Sequence, residues 1–448
     1  MCIPVKERKK NMAAIIQRPK GTQDVTPAEV YKWHTVERVA KETAEQFGFR
    51  EIRIPTFEDT GLFVRGVGDT TDVVEKEMYS VTATGDSAFT LRPEGTAGTI
   101  RAVIENGILN EGFPQKVFYI LSCFRHEKPQ AGRLREFHQF GCEMIGAQNA
   151  RADADVIALA KSVLDRMGLK NIALNINSIG CPECRAVYHK ALVDYFTPHK
   201  DELCETCQSR LEKNPMRIID CKSPVCSAIA KDAPVILDYL CDECKEHFEL
   251  LQKNLSAMGI EFSVNPKIVR GLDYYTKTVF EFITTDIGAQ GTVCGGGRYD
   301  KLVETLGGQP TPALGFGMGL ERLILTMQSQ GCEFEQPPKC ELYIAPMGEN
   351  AAMAAASLVS ELREDGLYTE YDLIGRSLKA QMKYADKIGA KFVLVLGDNE
   401  LEQKLVRVKN MKSGEQTELP LDESFSDRFT DVLMASIFDE SDMEGENT

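Results

Sequence analysis

Val117-Phe-Tyr-Ile-Leu-Ser-Cys-Phe124, a charged run from His126 to Arg135, and Glu136-Phe-His-Gln-Phe-Gly-Cys-Glu-Met-Ile145 read as a β-hairpin with a long basic tip. The first segment is short, apolar and β-leaning. In the second, Gln139 and Glu143 are four residues apart, two full strand periods, so both side chains leave one face. A sheet built around this pair presents polar groups on one side.

Working outward, Leu91–Asn106 opens with Arg-Pro-Glu-Gly and continues helically. Thr26, Pro27 and Glu29 read as the N-cap, N1 and N3 of a helix ending before Gly48. Glu77–Val81 reads as a strand and Asp153–Gly168 as a helix. Residues 181–255 are Cys-rich, charged and free of strand patterns, which predicts a helical insert. Strands return at 262–264, 268–270 and 278–284. A glycine run, Gly295 to Gly297, follows, and Gly315-Phe-Gly-Met-Gly319 feeds a helix from Leu320 to Gln330. After Gln336-Pro337-Pro338-Lys339, a linker by composition, short strands at 342–345, 367–371 and 392–396 alternate with helices near 350–365 and 377–388. That pattern predicts a small parallel or mixed α/β domain. The division expected is a mobile tail over 1–13, a core over 14–180 and 256–335, the insertion over 181–255, a second domain over 340–437 and a disordered acidic end over 438–448.

The chain has 448 residues, enough to bury a large core without staples. Its longest stretch without charge, Thr305–Leu320, is broken by prolines and glycines, so no membrane span is predicted. The basic N-terminus lacks an apolar stretch behind it and does not read as a signal peptide. A net charge of −15 argues against a nonspecific nucleic-acid coat, but not against one local RNA-binding patch. Fourteen cysteines, eight of them within 181–244, suit a reducing, cytosolic setting with metal binding rather than a disulfide scaffold.

The chemistry begins with arginines near strand ends: Arg92, Arg125, Arg133, Arg135, Arg270 and Arg322. Guanidinium forks suit phosphate oxygens. Gln139, Glu143, Tyr274 and Tyr275 supply a polar pocket for a small zwitterion. No Gly-x-x-x-x-Gly-Lys-Ser/Thr occurs, and Gly315, Gly317 and Gly319 do not fit Gly-x-Gly-x-x-Gly. Those glycines read as a strand allowing close backbone approach, or as a platform under a flat ligand.

Leu91-Arg-Pro-Glu-Gly-Thr96, Phe124-Arg-His-Glu-Lys-Pro-Gln-Ala-Gly-Arg-Leu-Arg-Glu-Phe-His-Gln-Phe-Gly-Cys-Glu143, Arg270-Gly-Leu-Asp-Tyr-Tyr-Thr276 and Gly317-Met-Gly-Leu-Glu-Arg322 resemble the histidyl-tRNA synthetases of class II. Arg18-Pro-Lys-Gly-Thr-Gln-Asp24 is similar too. His-Ile-Gly-His and Lys-Met-Ser-Lys-Ser, signatures of the other synthetase class, are missing.

The resemblance implies an α/β fold with an α+β catalytic core: an antiparallel class II synthetase sheet of six or seven strands flanked by helices, a helical insertion and a C-terminal α/β anticodon-binding domain. It implies ATP with Mg²⁺, histidine and tRNA(His) as partners, and a homodimer. It places Arg125 on the α-phosphate and substrate carboxylate, Arg270 across the reacting centre, and Arg322, with Arg133, at the ATP. Glu94, Gly95 and Thr96, assisted by Gln139, would meet the α-amino group. Glu143 and Tyr275 would meet the imidazole, with Tyr274 lining the pocket. The tip His126–Arg135 would approach the tRNA acceptor end.

Residues 374–412 hold nine Lys or Arg against four Asp or Glu. Arg376, Lys379, Lys383 and Lys387 are spaced to line one helical face, a solvated face or, by the resemblance, a tRNA-binding one. Cys181/Cys184, Cys204/Cys207, Cys221/Cys226 and Cys241/Cys244 suffice for two four-cysteine zinc sites or for one site and spare thiols. The alternative is buried thiols acting as small apolar residues.

Overall fold

A computed structural model of the chain describes residues 15–445 apart from 69, 70, 72, 83–87, 131 and 287–290, with side chains described as far as 437. Two compact units divide between Glu335 and Gln336. The tail expected over 1–13 lies outside the described residues.

The first unit is built on an eight-stranded sheet. Its order is Arg50–Glu51, Gln115–Phe124, Glu136–Ile145, Ala313–Gly319, Thr292–Arg298, Thr276–Ile283, Ala173–Ser178 and Ser263–Val264. The six central strands are antiparallel throughout, while the two-residue strand at each edge runs parallel to its neighbour. The expectation of six or seven antiparallel strands therefore needs correcting at the edges, where two residues are too few to leave a periodic trace in sequence.

Alternation gives the sheet two different faces. Phe140, Cys142, Met144, Phe280, Phe282, Leu314, Phe316 and Met318 point one way, into a buried apolar cluster. That cluster is completed by four helices, Val30–Gln46, Ala150–Arg166, Asp242–Ala257 and Leu320–Gln330. The opposite face carries Gln139, Gly141 and Glu143, paired in register with Gly319, Gly317 and Gly315.

The helix predicted from Thr26 starts at Val30 instead. Thr26 O accepts the backbone N–H groups of Glu29 and Val30, so the chain makes a separate turn before the helix begins. No strand forms at 268–270. A three-stranded antiparallel sheet of Phe57–Asp59, Ala88–Leu91 and Tyr79–Thr82 was not foreseen beyond its last member. The insert is helical as expected, from Pro182–Phe196 to Asp242–Ala257.

In the second unit five strands lie in the order Thr369–Tyr371, Leu342–Pro346, Phe392–Leu396, Leu405–Asn410 and Gln416–Pro420. The first three are parallel and the last two antiparallel. Leu342, Ile344, Leu394, Val406 and Val408 pack with Leu358, Val359, Phe425 and Phe429 in its core. The acidic end expected to be disordered from 438 is helical as far as Gly445, as part of helix Phe425–Gly445. Among the described residues no helix is long and apolar enough to cross a membrane.

Candidate active site

Glu143 sits at the centre of the polar face, fully buried. Thr96 Oγ1 donates to its Oε1 at 2.7 Å and the Tyr119 hydroxyl to the same oxygen at 3.1 Å. The Tyr299 hydroxyl holds Oε2. Burial pushes the Glu143 carboxyl up to about 8, against the pull of these hydroxyls, and nearby Glu94 adds to the rise.

Glycines on its own strand and on the next make room for this group. A Cβ at Gly315 would stand 1.8 Å from Glu143 Oε2, and one at Gly141 would stand 2.2 Å from the Tyr119 ring. Close approach accounts for Gly315 and for Gly317, where a Cβ would stand 2.7 Å from Gln139 Nε2, but not for Gly319, where the nearest atom is 4.0 Å away.

Glu94 is buried at the start of helix Thr96–Glu105, where its two oxygens accept the backbone N–H groups of Thr96 and Ala97, each at 2.8 Å. A carboxylate suits a helix N-terminus. Tyr274 and Tyr275 pack together with ring centres 4.7 Å apart, and Tyr274 also meets Tyr299 at 5.4 Å. Gln139 Oε1 accepts from Cys123 Sγ at 3.6 Å.

Arginines rim the same face. Arg270 pairs with Glu281, packs over Tyr275 and lies where a Cβ at Gly295 would be, 2.4 Å from its Nη1. Arg125 anchors Nε on Pro93 O at 2.8 Å above the Phe137 ring, and makes no ion pair among the described residues. Arg322 donates to Gly132 O at 3.1 Å and to Thr292 O at 2.6 Å. Burial lowers its proton affinity, and Arg133 and Arg125 lower it further, so three cations share one neighbourhood. Arg133 is itself paired with Glu127 at 3.2 Å. Cations gathered in one place repel one another and favour an anion between them.

Not every arginine singled out in sequence belongs here. Arg92 is spent on the carbonyls of Ile54, Pro55 and Ser122 and serves the fold.

Residues 79–331 match the tRNA synthetase class II core domain (G, H, P, S and T), and residues 341–426 match an anticodon binding domain. A histidine–tRNA ligase of Acetivibrio thermocellus is 54% identical over 408 residues, covering 91% of this chain and 98% of the relative. The chain belongs to the histidine–tRNA ligase family. A second ligase, from Caldanaerobacter subterraneus, is 53% identical over 409 residues, covering 91% of this chain and 98% of the relative. The apo histidyl-tRNA synthetase of S. aureus superposes with a TM-score of 0.79 at 38% identity, covering 93% of this chain and all of that one. A Bacillus halodurans structure titled ATP phosphoribosyltransferase regulatory subunit/histidyl-tRNA synthetase, at 21% identity and TM-score 0.60, shares the fold over 86% of this chain and 98% of that one.

Two residues of the pocket, Tyr119 and Tyr299, escaped sequence reasoning. Tyr119 was within reach of it. In the hairpin Phe124 pairs with Glu136, which puts Tyr119 opposite Gly141 and on the Glu143 face. Tyr299 follows the glycine run with no periodic signal.

The expected basic helix face also needs correcting. Helix Leu378–Lys387 carries Lys379, Lys383 and Lys387 exposed, but Arg376 lies before it. Asp372 accepts from Arg376 at 2.6 Å and Tyr384 stacks under its guanidinium at 4.3 Å. A local carboxylate outcompetes the helical spacing.

The elevated Glu143 carboxyl makes a pH-dependent prediction. Its folded value lies above that of an unfolded glutamate. Stability from the neutral form is therefore full below about 4.5 and is lost as pH rises towards about 8. Glu143→Gln should melt above the parent protein at pH 8 and alongside it at pH 4.5. On the reading that Glu143 meets the substrate imidazole, Glu143→Ala should raise the KM for histidine about tenfold, the worth of one buried hydrogen bond, while the KM for ATP stays within about twofold. Equal rises in both would remove Glu143 from the histidine pocket.

Proposed function

We propose that this chain joins histidine to ATP as histidyl-adenylate with release of pyrophosphate, then passes the histidyl group to the 3′ end of tRNA(His), on the face around Glu143. The observation that carries the reading is a buried acceptor, Glu143, beside tyrosines and under a rim of arginines, on one glycine-floored sheet face.

Glu143 and Tyr275 are assigned to the imidazole and Tyr274 to the pocket wall. Glu94, Gly95, Thr96 and Gln139 are assigned to the α-amino group. The attack of a carboxylate on the α-phosphate brings two anions together, so positioning and charge neutralisation are the main tasks. Arg125 and Arg270 take the reacting centre from two sides, and Arg133 and Arg322 the rest of the nucleotide. Class II synthetases use ATP with Mg²⁺. The Glu281 carboxylate is occupied by Arg270, so a guanidinium supplies the positive charge on that side.

Histidine-dependent ATP–pyrophosphate exchange, run across all twenty amino acids without tRNA, tests the assignment. Exchange with histidine alone is the expected result. No exchange from folded protein that binds histidine would move the reading to a histidine-sensing regulatory chain on the same fold.

The exposed row Lys379, Lys383 and Lys387 is assigned to tRNA phosphates. Lys379→Glu with Lys383→Glu should cut tRNA charging about tenfold at low salt and flatten its salt dependence, leaving pyrophosphate exchange unchanged. A matching loss of exchange would give the row another role. The reading includes a cytoplasmic homodimer, which light scattering of the purified protein checks.

The insert cysteines are assigned to structural zinc. They form two sets of four, Cys181, Cys184, Cys241 and Cys244, and Cys204, Cys207, Cys221 and Cys226. Within each set the sulfur atoms lie within 4.8 Å of one another. Tetrahedral zinc with sulfur at about 2.3 Å calls for sulfur separations near 3.8 Å. Cys181 to Cys184 is 3.5 Å and Cys204 to Cys221 is 3.9 Å, too long for disulfides and right for a shared ion. Backbone N–H groups of Cys241 and Cys204 already point at Cys184 and Cys226 sulfurs, at 3.1 and 3.2 Å. Metal analysis of protein purified without chelator should find about two zinc ions per chain. Below about 0.2 the thiols are apolar filling.

A further inference from the structure

The segment Arg270–Tyr275 carries three side chains assigned to the site, Arg270, Tyr274 and Tyr275, yet it consists of turns and bends with no regular structure of its own. Its position is set from outside. Asp273 N donates to Val67 O at 3.1 Å. Three further contacts come from the Cys-rich insert: Arg185 Nη1 donates to Tyr275 O at 3.1 Å, Arg217 Nη1 to Arg270 O at 3.0 Å, and Asn214 Nδ2 to Asp273 Oδ1 at 3.3 Å. Met216 of the insert and Leu272 of the segment pack against the same apolar cluster as Tyr274 and Tyr275.

The side chains that reach across lie close in sequence to the thiol sets. Arg185 follows Cys184 in the first turn of helix Pro182–Phe196. Asn214 and Arg217 lie between Cys207 and Cys221, on a stretch braced by Arg210 Nη1 donating to Arg217 O at 3.2 Å. Fixing the four sulfurs of each set fixes the start of one helix and both ends of the other stretch.

We infer that the insert is a clamp on the active-site segment, with Arg185 and Arg217 as positioning residues that set Tyr275 and Arg270 through their backbone carbonyls, and with the two four-cysteine sites holding the clamp in register. This rests on the histidine-activation and zinc assignments made above. A misplacement of reacting groups by about 1 Å is enough to cost a large factor in rate. The two arginines divide the work. Arg185 acts on the histidine pocket and Arg217 on the reacting centre.

Full-length Arg185→Ala, Arg217→Ala and Arg217→Lys are compared with the parent in histidine-dependent pyrophosphate exchange, each preparation assayed for zinc and for active sites by adenylate burst. Arg185→Ala should raise the KM for histidine about tenfold with kcat within about twofold. Arg217→Ala should lower kcat per active site about tenfold with that KM within about twofold, and Arg217→Lys should recover most of the loss. Asn214→Ala, a smaller change, should lower kcat/KM about threefold and gives a reading where an arginine variant folds poorly.

Parent-like kinetics per active site in Arg185→Ala, Arg217→Ala and Asn214→Ala, with zinc retained, overturn the clamp and leave the metal sites standing. The expected kinetic split in protein that carries no zinc supports the arginine clamp and overturns its metal half. A parent protein inactive with histidine overturns the functional assignment itself, before either variant is read.

Discussion

Arg125→Ala is expected to lower histidine-dependent pyrophosphate exchange by about 10²–10³ in kcat/KM, the usual loss for one preorganised donor at a charged transition state. The expectation comes from how the side chain is held. Pro93 O and the Phe137 ring fix the guanidinium without neutralising it, and no carboxylate pairs with it among the described residues. Its charge is therefore unspent when two anionic reactants meet. Arg270 differs, because Glu281 already balances it. Alanine at 270 would remove a cation and release a carboxylate towards the reactants, so its loss should be at least as large. Histidine binding measured by calorimetry without ATP should weaken about tenfold in Arg125→Ala, the worth of its contact with the substrate carboxylate, so that the larger part of the loss falls on the chemical step. A drop in exchange below about fivefold would take Arg125 out of the reacting centre.

Asp153→Ala is expected to cost about 3–5 kcal/mol of stability, as breaking a buried ion pair typically does. Arg298 is fully buried and Asp153 nearly so. Two of the guanidinium nitrogens bind the two Asp153 oxygens, one of them at 3.2 Å, and Ala147 O and Asp300 take a third. Burial alone would raise the Asp153 carboxyl, but Arg298 holds it well below the usual carboxylate range. Without Asp153 the cation keeps only the partly exposed Asp300 side. Arg298 precedes Tyr299, whose hydroxyl holds Glu143, so the variant should also weaken histidine binding. Urea midpoints compared at equal slope measure the first effect. A loss under about 1 kcal/mol would mean that water reaches Arg298, and joint replacement by Met at 298 and Leu at 153 should recover much of the stability.

Most of this was legible from residues whose signal is local. The hairpin around 117–145 reads directly because alternation separates Phe140, Cys142 and Met144 from Gln139 and Glu143. The insert reads because thiol pairs and charge coincide with a lack of strand patterns over 181–255. What stayed hidden depends on partners distant in sequence. Tyr299 reaches Glu143 across 156 positions, and no pattern within either stretch records the meeting. Arg376 obeys helical spacing and is nevertheless pinned by Asp372, because a near carboxylate decides the geometry before the helix begins. Strand Leu405–Asn410 carries a legible alternation, Val406 and Val408 alternating with Arg407 and Lys409, and was overlooked, whereas Gln416–Pro420 buries only Leu419 and leaves no periodic trace.

The order of strands also dictates when the sheet can close during synthesis. The hairpin Gln115–Ile145 is complete early, but the strand that pairs with its second arm, Ala313–Gly319, emerges about 170 residues later. At roughly 5–20 residues per second, the inner edge of Glu136–Ile145 waits about ten to thirty seconds on the ribosome with its hydrogen-bonding groups open. The apolar row Phe140, Cys142 and Met144 can meet helices Val30–Gln46 and Ala150–Arg166 early, but it waits for helix Leu320–Gln330 to complete its cover. The nascent chain is most exposed to aggregation in that interval, and a slow stretch of translation between the hairpin and the last strand would lengthen it.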